Sequence, residues 1–189
     1  MRNRQAEIIR HMSNSQLFYH LILSQLLLLV IAVILAWLLL DEPWRHLFYW
    51  DPLQLFLYGV IPGILVVFID LLMMKYFPEK WYDDGGINKR LFKGQSTPAI
   101  VVICLLVAIS EELLFRGIIQ TVFGYVLASI VFALVHIRYL FKPVLFISVF
   151  LLSFYIGYLY EVTNNLLVTI IAHFIIDLLL ALVFRKGAI

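Results

Sequence analysis

Three short patterns place ionisable or aromatic side chains at helical spacing inside apolar surroundings: Glu111-Glu112-Leu-Leu-Phe-Arg116, Phe132-Ala-Leu-Val-His136 and His173-Phe-Ile-Ile-Asp177. A charged side chain at the centre of a bilayer costs at least about 2.5–3.5 kcal/mol, so such groups are read first as parts of a site. Positions four apart share a helix face, so Glu112 pairs with Arg116, whereas Glu111 points about 100° away and has no local counterion. Mutual neutralisation is reason enough for Glu112 and Arg116 as a structural ion pair. Glu111 has no packing rationale and reads as functional. Phe132, one turn before His136, packs against the imidazole and fixes its rotamer, and His173 and Asp177 are stacked on one face. His11, His20 and His46 fall at or near the membrane ends and read as incidental.

A carboxylate held in a low-dielectric pocket is suited to take a proton from water. In that reading Glu111 is a general base and His136 positions or polarises the same water. Attack on a carbonyl develops an oxyanion, for which His173 is a donor. Asp177 either orients His173 or caps the cavity. The reaction is peptide hydrolysis. The same residues allow a metal reading, because two imidazoles, a carboxylate and a water match a catalytic zinc shell, with Glu111, His136 and His173 as ligands. The chain has no His-Glu-x-x-His and no Gly-x-Ser-x-Gly, so zincin and serine-hydrolase arrangements are not indicated. Zinc therefore remains an open alternative.

The elements that must position these groups are membrane helices. The 189 residues are 63% apolar and 14% charged, far from the roughly 45–50% and 25% of soluble domains. The expected fold is all-α, a polytopic bundle of about six transmembrane helices, because a bilayer core of about 30 Å needs about 20 apolar residues per crossing. The spans fall at residues 16–40, 52–76, 98–122, 124–141, 143–160 and 164–184. Pro62 and Gly63 can kink the second without ending it, Pro98 suits a first helical turn, and Asn164 or Asn165 caps the last. The first run is longer than the roughly 7–15 residues of a signal-peptide core, so it is kept as a helix.

Lys and Arg gather in the N-terminal segment with Arg2, Arg4 and Arg10, in the 75–93 loop, in the 138–142 turn and at Arg185-Lys186. The opposite loops hold Asp41, Glu42, Asp51 and Glu161, with Arg45 the exception, so both termini are expected to be cytoplasmic. Counted along the helices, Glu111, His136, His173 and Asp177 lie about 12–18 Å below the non-cytoplasmic ends, in one layer. A net charge of +2 gives no reason to expect nucleic acid as a partner, and Cys104, the only cysteine, reads as packing.

Taken in order on successive helices, Glu-Glu-x-x-x-Arg at 111–116, Phe-x-x-x-His at 132–136 and His-x-x-x-Asp at 173–177 resemble the CAAX protease and bacteriocin-processing (Abi) family of intramembrane proteases. The type II CAAX prenyl endopeptidase belongs to that family. The resemblance covers about residues 98–184, which implies a protease core there and an N-terminal two-helix region with its loop at 1–97. It implies Glu111 as catalytic base with His136, and His173 with residue 177 stabilising the oxyanion. The family has been described both as zinc metalloproteases and as glutamate proteases without zinc. Asp177 stands where the CAAX enzymes tend to have asparagine; an ionised carboxylate repels an oxyanion, so Asp177 must be protonated, orient His173 or bind metal.

The expected substrate is a peptide or membrane protein, including CAAX-like ones, met within the bilayer of a bacterial cell membrane. The competing reading is a non-catalytic membrane scaffold or bacteriocin-immunity protein on the same fold, in which the polar groups are helix glue. A proton-coupled transporter also uses buried Glu and His, but no inverted repeat is evident.

Overall fold

The computed structural model describes residues 11–41, 47–139 and 142–187. Arg2, Arg4, Arg10, Glu42, Arg45, His46 and the Phe141 end of the expected fourth span lie outside them. The described residues form eight principal helices: α1 (Asn14–Leu39), α2 (Pro52–Tyr76), α3 (Glu79–Tyr82), α4 (Ile87–Phe92), α5 (Thr97–Phe123), α6 (Tyr125–Val135), α7 (Pro143–Thr163) and α8 (Leu166–Lys186). Of these α1, α2, α5, α7 and α8 are long and apolar enough to cross a membrane. The protein is a multi-pass helical bundle.

The helix ends follow local chemistry. Ser13 and Gln16 close a capping box on α1. Asp51 caps α2 ahead of Pro52, and Ser96 caps α5 two residues before Pro98. Of the two asparagines, Asn165 caps α8 by accepting from the Leu167 N–H, while Asn164 takes the left-handed conformation (φ 46°) that terminates α7.

The fourth span departs from expectation. In the expected span at 124–141 the described helix α6 has 11 residues, about 16 Å against a bilayer core of about 30 Å. Gly124 (φ +91°) breaks the chain from α5, a conformation that side chains disfavour. At the other end the helix stops at His136 (ψ 51°). The next turn is held away from the helix path by Arg138, which ion-pairs with Asp84 at 3.4 Å and donates to Asn88 Oδ1 at 3.0 Å.

Helix α8 packs against α5, α2 and α7. Small residues allow the close approaches that helices use in lipid. A Cβ at Gly63 would lie 3.0 Å from the Ala172 carbonyl oxygen, so α2 and α8 meet backbone to backbone, and one at Gly157 would lie 2.9 Å from the Tyr125 ring, so the α6 side chain packs directly on the α7 backbone. Within α5 the turns change to π-helix over Leu113–Gln120, directly after the two glutamates. Such widened turns occur mostly at functional positions. The Asn14, Arg90, Thr97 and Arg185 side chains meet at one end of the bundle, the basic end, through hydrogen bonds from Arg90 to Asn14 and from Arg185 to Thr97.

Candidate active site

Glu112 is fully buried. Its Oε1 accepts from Arg116 Nη1 at 3.0 Å and lies 2.7 Å from His173 Nδ1. The local pair expected from the sequence is therefore present, and it also reaches α8. Arg116 is satisfied further by donating through Nη2 to the Ser153 carbonyl (3.1 Å) and hydroxyl (3.3 Å) on α7. Its guanidinium stands 4.3 Å from the centre of the Phe132 ring, a cation–π contact in a dry site.

Phe132 is the spacer of the site. Its ring centre lies 4.8 Å from that of His136, 6.2 Å from His173 and 4.9 Å from Phe115. Its carbonyl oxygen is 2.8 Å from His136 Nδ1. A carbonyl can only accept, so Nδ1 carries a proton, and Nε2 is the acceptor nitrogen of the ring in its neutral form. The imidazole thus folds back onto the carbonyl one turn before it, at the point where the chain leaves the helix.

His173 Nε2 is 3.5 Å from Asp177 Oδ2 one turn on, so the imidazole stands between Glu112 and Asp177. Glu111, Phe132, His136, His173 and Asp177 all line one cavity of about 700 Å³. The structure thus brings the residues singled out by the sequence to a common cavity, with Glu112 and Arg116 in the wall behind it.

Three features were not read from the sequence. Glu111 is not without a partner: Gln25 in the middle of α1 donates to its Oε1 at 3.2 Å, and Ser110 Oγ donates to Gln25 Oε1 at 2.5 Å. Asp70 on α2 lines the same cavity opposite Ser148 of α7, and the cost of an ionisable residue within a span is the signal that marks it. The segment between α2 and α5, which carries α3 and α4, lies at the basic end, where Asn88 and Phe92 line the cavity together with Arg138 and Tyr139. There Asp84 is held between Arg138 and the backbone N–H groups of Ile87 and Asn88. Burial pushes its carboxyl above the ordinary aspartate value, and Arg138 opposes that shift.

The donor set proposed for zinc can be tested against this geometry. His136 lines the cavity with Nδ1 engaged by the Phe132 carbonyl, which leaves Nε2 as its ligating nitrogen. The other two do not converge with it: His173 has a carboxylate at each nitrogen, and Glu111 is drawn to Gln25. Among the described residues no three His, Cys, Asp or Glu side chains are grouped as a metal ion requires. As arranged, the residues do not fit a three-ligand zinc centre.

Comparison with known proteins agrees with the motifs. Residues 93–179 match the model of the Rce1-like family, described as type II CAAX prenyl endopeptidase Rce1-like. The chain is 44% identical over 162 residues to a Bacillus subtilis (strain 168) protein named "Uncharacterized protein YpbD", an overlap that covers 84% of this chain and 86% of that protein. No solved structure gives a significant match. With the motifs on α5, α6 and α8 all inside the matched segment, the chain belongs to the type II CAAX prenyl endopeptidase Rce1-like family.

Proposed function

We propose that the protein is an intramembrane endopeptidase that hydrolyses a peptide bond in a membrane-associated or CAAX-like substrate. The observation that carries this reading is the convergence of Glu111, His136, His173 and Asp177 from three helices on one cavity inside the bundle. Glu111 takes a proton from a water whose other hydrogen is accepted by His136 Nε2, and the hydroxide attacks the substrate carbonyl carbon. The carbonyl π electrons move to oxygen, where His173 Nε2–H stabilises the oxyanion. Collapse expels the amine, which receives its proton from Glu111, so the base is restored and water has been added across the bond.

His173 donates from Nε2 while Nδ1 faces Glu112, which requires both ring protons; the carboxylates of Glu112 and Asp177 balance the imidazolium charge. Asp177 beside Nε2 supports the role of orienting this ring rather than touching the oxyanion itself. The basic end faces the cytoplasm of a bacterial cell, by the distribution of Lys and Arg.

The test is cleavage of fluorogenic membrane-anchored peptides by the purified protein in lipid vesicles, with products assigned by mass spectrometry and with a zinc chelator in a parallel arm. The expected result is hydrolysis of one peptide bond that resists the chelator. Loss on chelation with recovery on added zinc moves the assignment to a metalloprotease. No turnover by the wild type across varied peptides moves it to the non-catalytic scaffold.

A further inference from the structure

The first helix supplies a group that the chemistry of Glu111 needs. Helix α1 is mostly lipid-facing: Leu23, Leu26, Leu27 and Val30 are exposed, whereas Gln25, Ala32 and Ala36 form an inward stripe at helical spacing, Gln25 being 8% exposed. An amide buried away from water costs several kcal/mol unless both its ends are bonded. Here they are, by Glu111 Oε1 at 3.2 Å and Ser110 Oγ at 2.5 Å.

The hydroxyl of Ser110 has a second acceptor, the Val107 carbonyl at 3.1 Å. With Glu111 ionised, Gln25 must turn its N–H to the carboxylate and its oxygen to the Ser110 O–H. With Glu111 protonated, the acid O–H becomes the donor; the amide rotates by half a turn, its oxygen accepts from Glu111, and its N–H goes to Ser110 Oγ. Ser110 then donates to Val107. Both ends of the Gln25 amide and the Ser110 hydroxyl keep a partner in either state.

We infer that Gln25, set by Ser110, is a positioning residue that holds Glu111 through both of its protonation states and keeps its second oxygen for the cavity. The inference rests on Glu111 being the base. It also places part of the site on α1, outside the family-matched residues 93–179. The charged and titratable groups around Glu111 are Glu112 and Arg116 on its own helix, His136 from α6, His173 and Asp177 from α8, and Asp70 from α2.

The test uses the full chain in lipid vesicles. Infrared difference spectra against Glu111→Gln isolate the Glu111 carboxyl, and its titration is followed in wild type, Gln25→Leu, Gln25→Asn and Ser110→Ala. Loss of one charge-assisted bond moves the midpoint of Gln25→Leu upward by about one pH unit; Ser110→Ala moves it less in the same direction, and Gln25→Asn lies between Leu and wild type. With a cleaved peptide, Gln25→Leu lowers kcat about tenfold at unchanged KM, and the acidic limb of kcat follows the same shift. An unchanged midpoint in both Gln25→Leu and Ser110→Ala overturns the inference, and so does an Asn variant indistinguishable from Leu. The infrared titration is read without turnover, so a protein that cleaves no peptide defeats the protease reading while this test still decides on Gln25. Ser110→Ala serves if Gln25→Leu fails to fold.

Discussion

Arg116 and His173 share a single carboxylate oxygen, Glu112 Oε1, at 3.0 and 2.7 Å. An ion pair that is local in sequence is thereby also the anchor of a histidine from the last helix. Its weight is both structural and functional, because the same contact fixes which nitrogen of His173 faces the cavity.

Glu112→Gln leaves the buried guanidinium of Arg116 without its counter-charge. Breaking a buried pair by removing one partner costs about 3–5 kcal/mol. The expected outcome is a lowered unfolding midpoint in detergent titration together with lost cleavage. Unchanged stability shows that Arg116 finds its compensation elsewhere, from Ser153 and the Phe132 face.

Phe132→Ala removes the ring that spaces Arg116, His136 and His173. Truncating a buried phenylalanine costs about 3–5 kcal/mol. Phe132→Leu keeps much of the volume but no π face, so it should stay folded while kcat falls about tenfold or more through a loosened His136. Steady-state kinetics on the folded fraction checks this.

Asp84 gives a pH dependence at the basic end. Its folded-state pKa is raised by burial, so the carboxyl contributes most to stability below its unfolded value near about 3.9 and loses that contribution as pH rises through the folded value. Unfolding midpoints measured between about pH 4 and 8 should fall with rising pH in this range. Asp84→Asn should flatten that slope. An identical slope in the variant shows that another group carries it.

Much of the bundle is written locally in the chain. Apolar runs opened by Ser13, Asp51-Pro52, Ser96, Pro143 and Asn165 mark five long helices, since caps and composition act within a turn of where they stand. The Glu112–Arg116 pair is equally local. The fourth span was read too long because its apolar run continues past His136, while its end is decided by Arg138 meeting Asp84 some fifty residues away. The contacts of Glu112 with His173 and of Glu111 with Gln25 cross 61 and 86 residues of chain. They depend on how α8 and α1 rotate against α5, which periodicity does not specify when all three helices are apolar nearly all round. Asp70 was within reach of the rule that marked the other intramembrane acids; it stands alone in its span, outside the three paired patterns.

The central assignment is Glu111 as the base, with Glu112 as its structural neighbour. The direct measurement is the cleavage rate of Glu111→Gln against wild type in the same vesicles, with folding checked by unfolding midpoint. Loss of general-base catalysis predicts a fall of about a hundredfold to ten-thousandfold with the fold intact. A folded Glu111→Gln that retains cleavage within about tenfold of wild type contradicts the assignment.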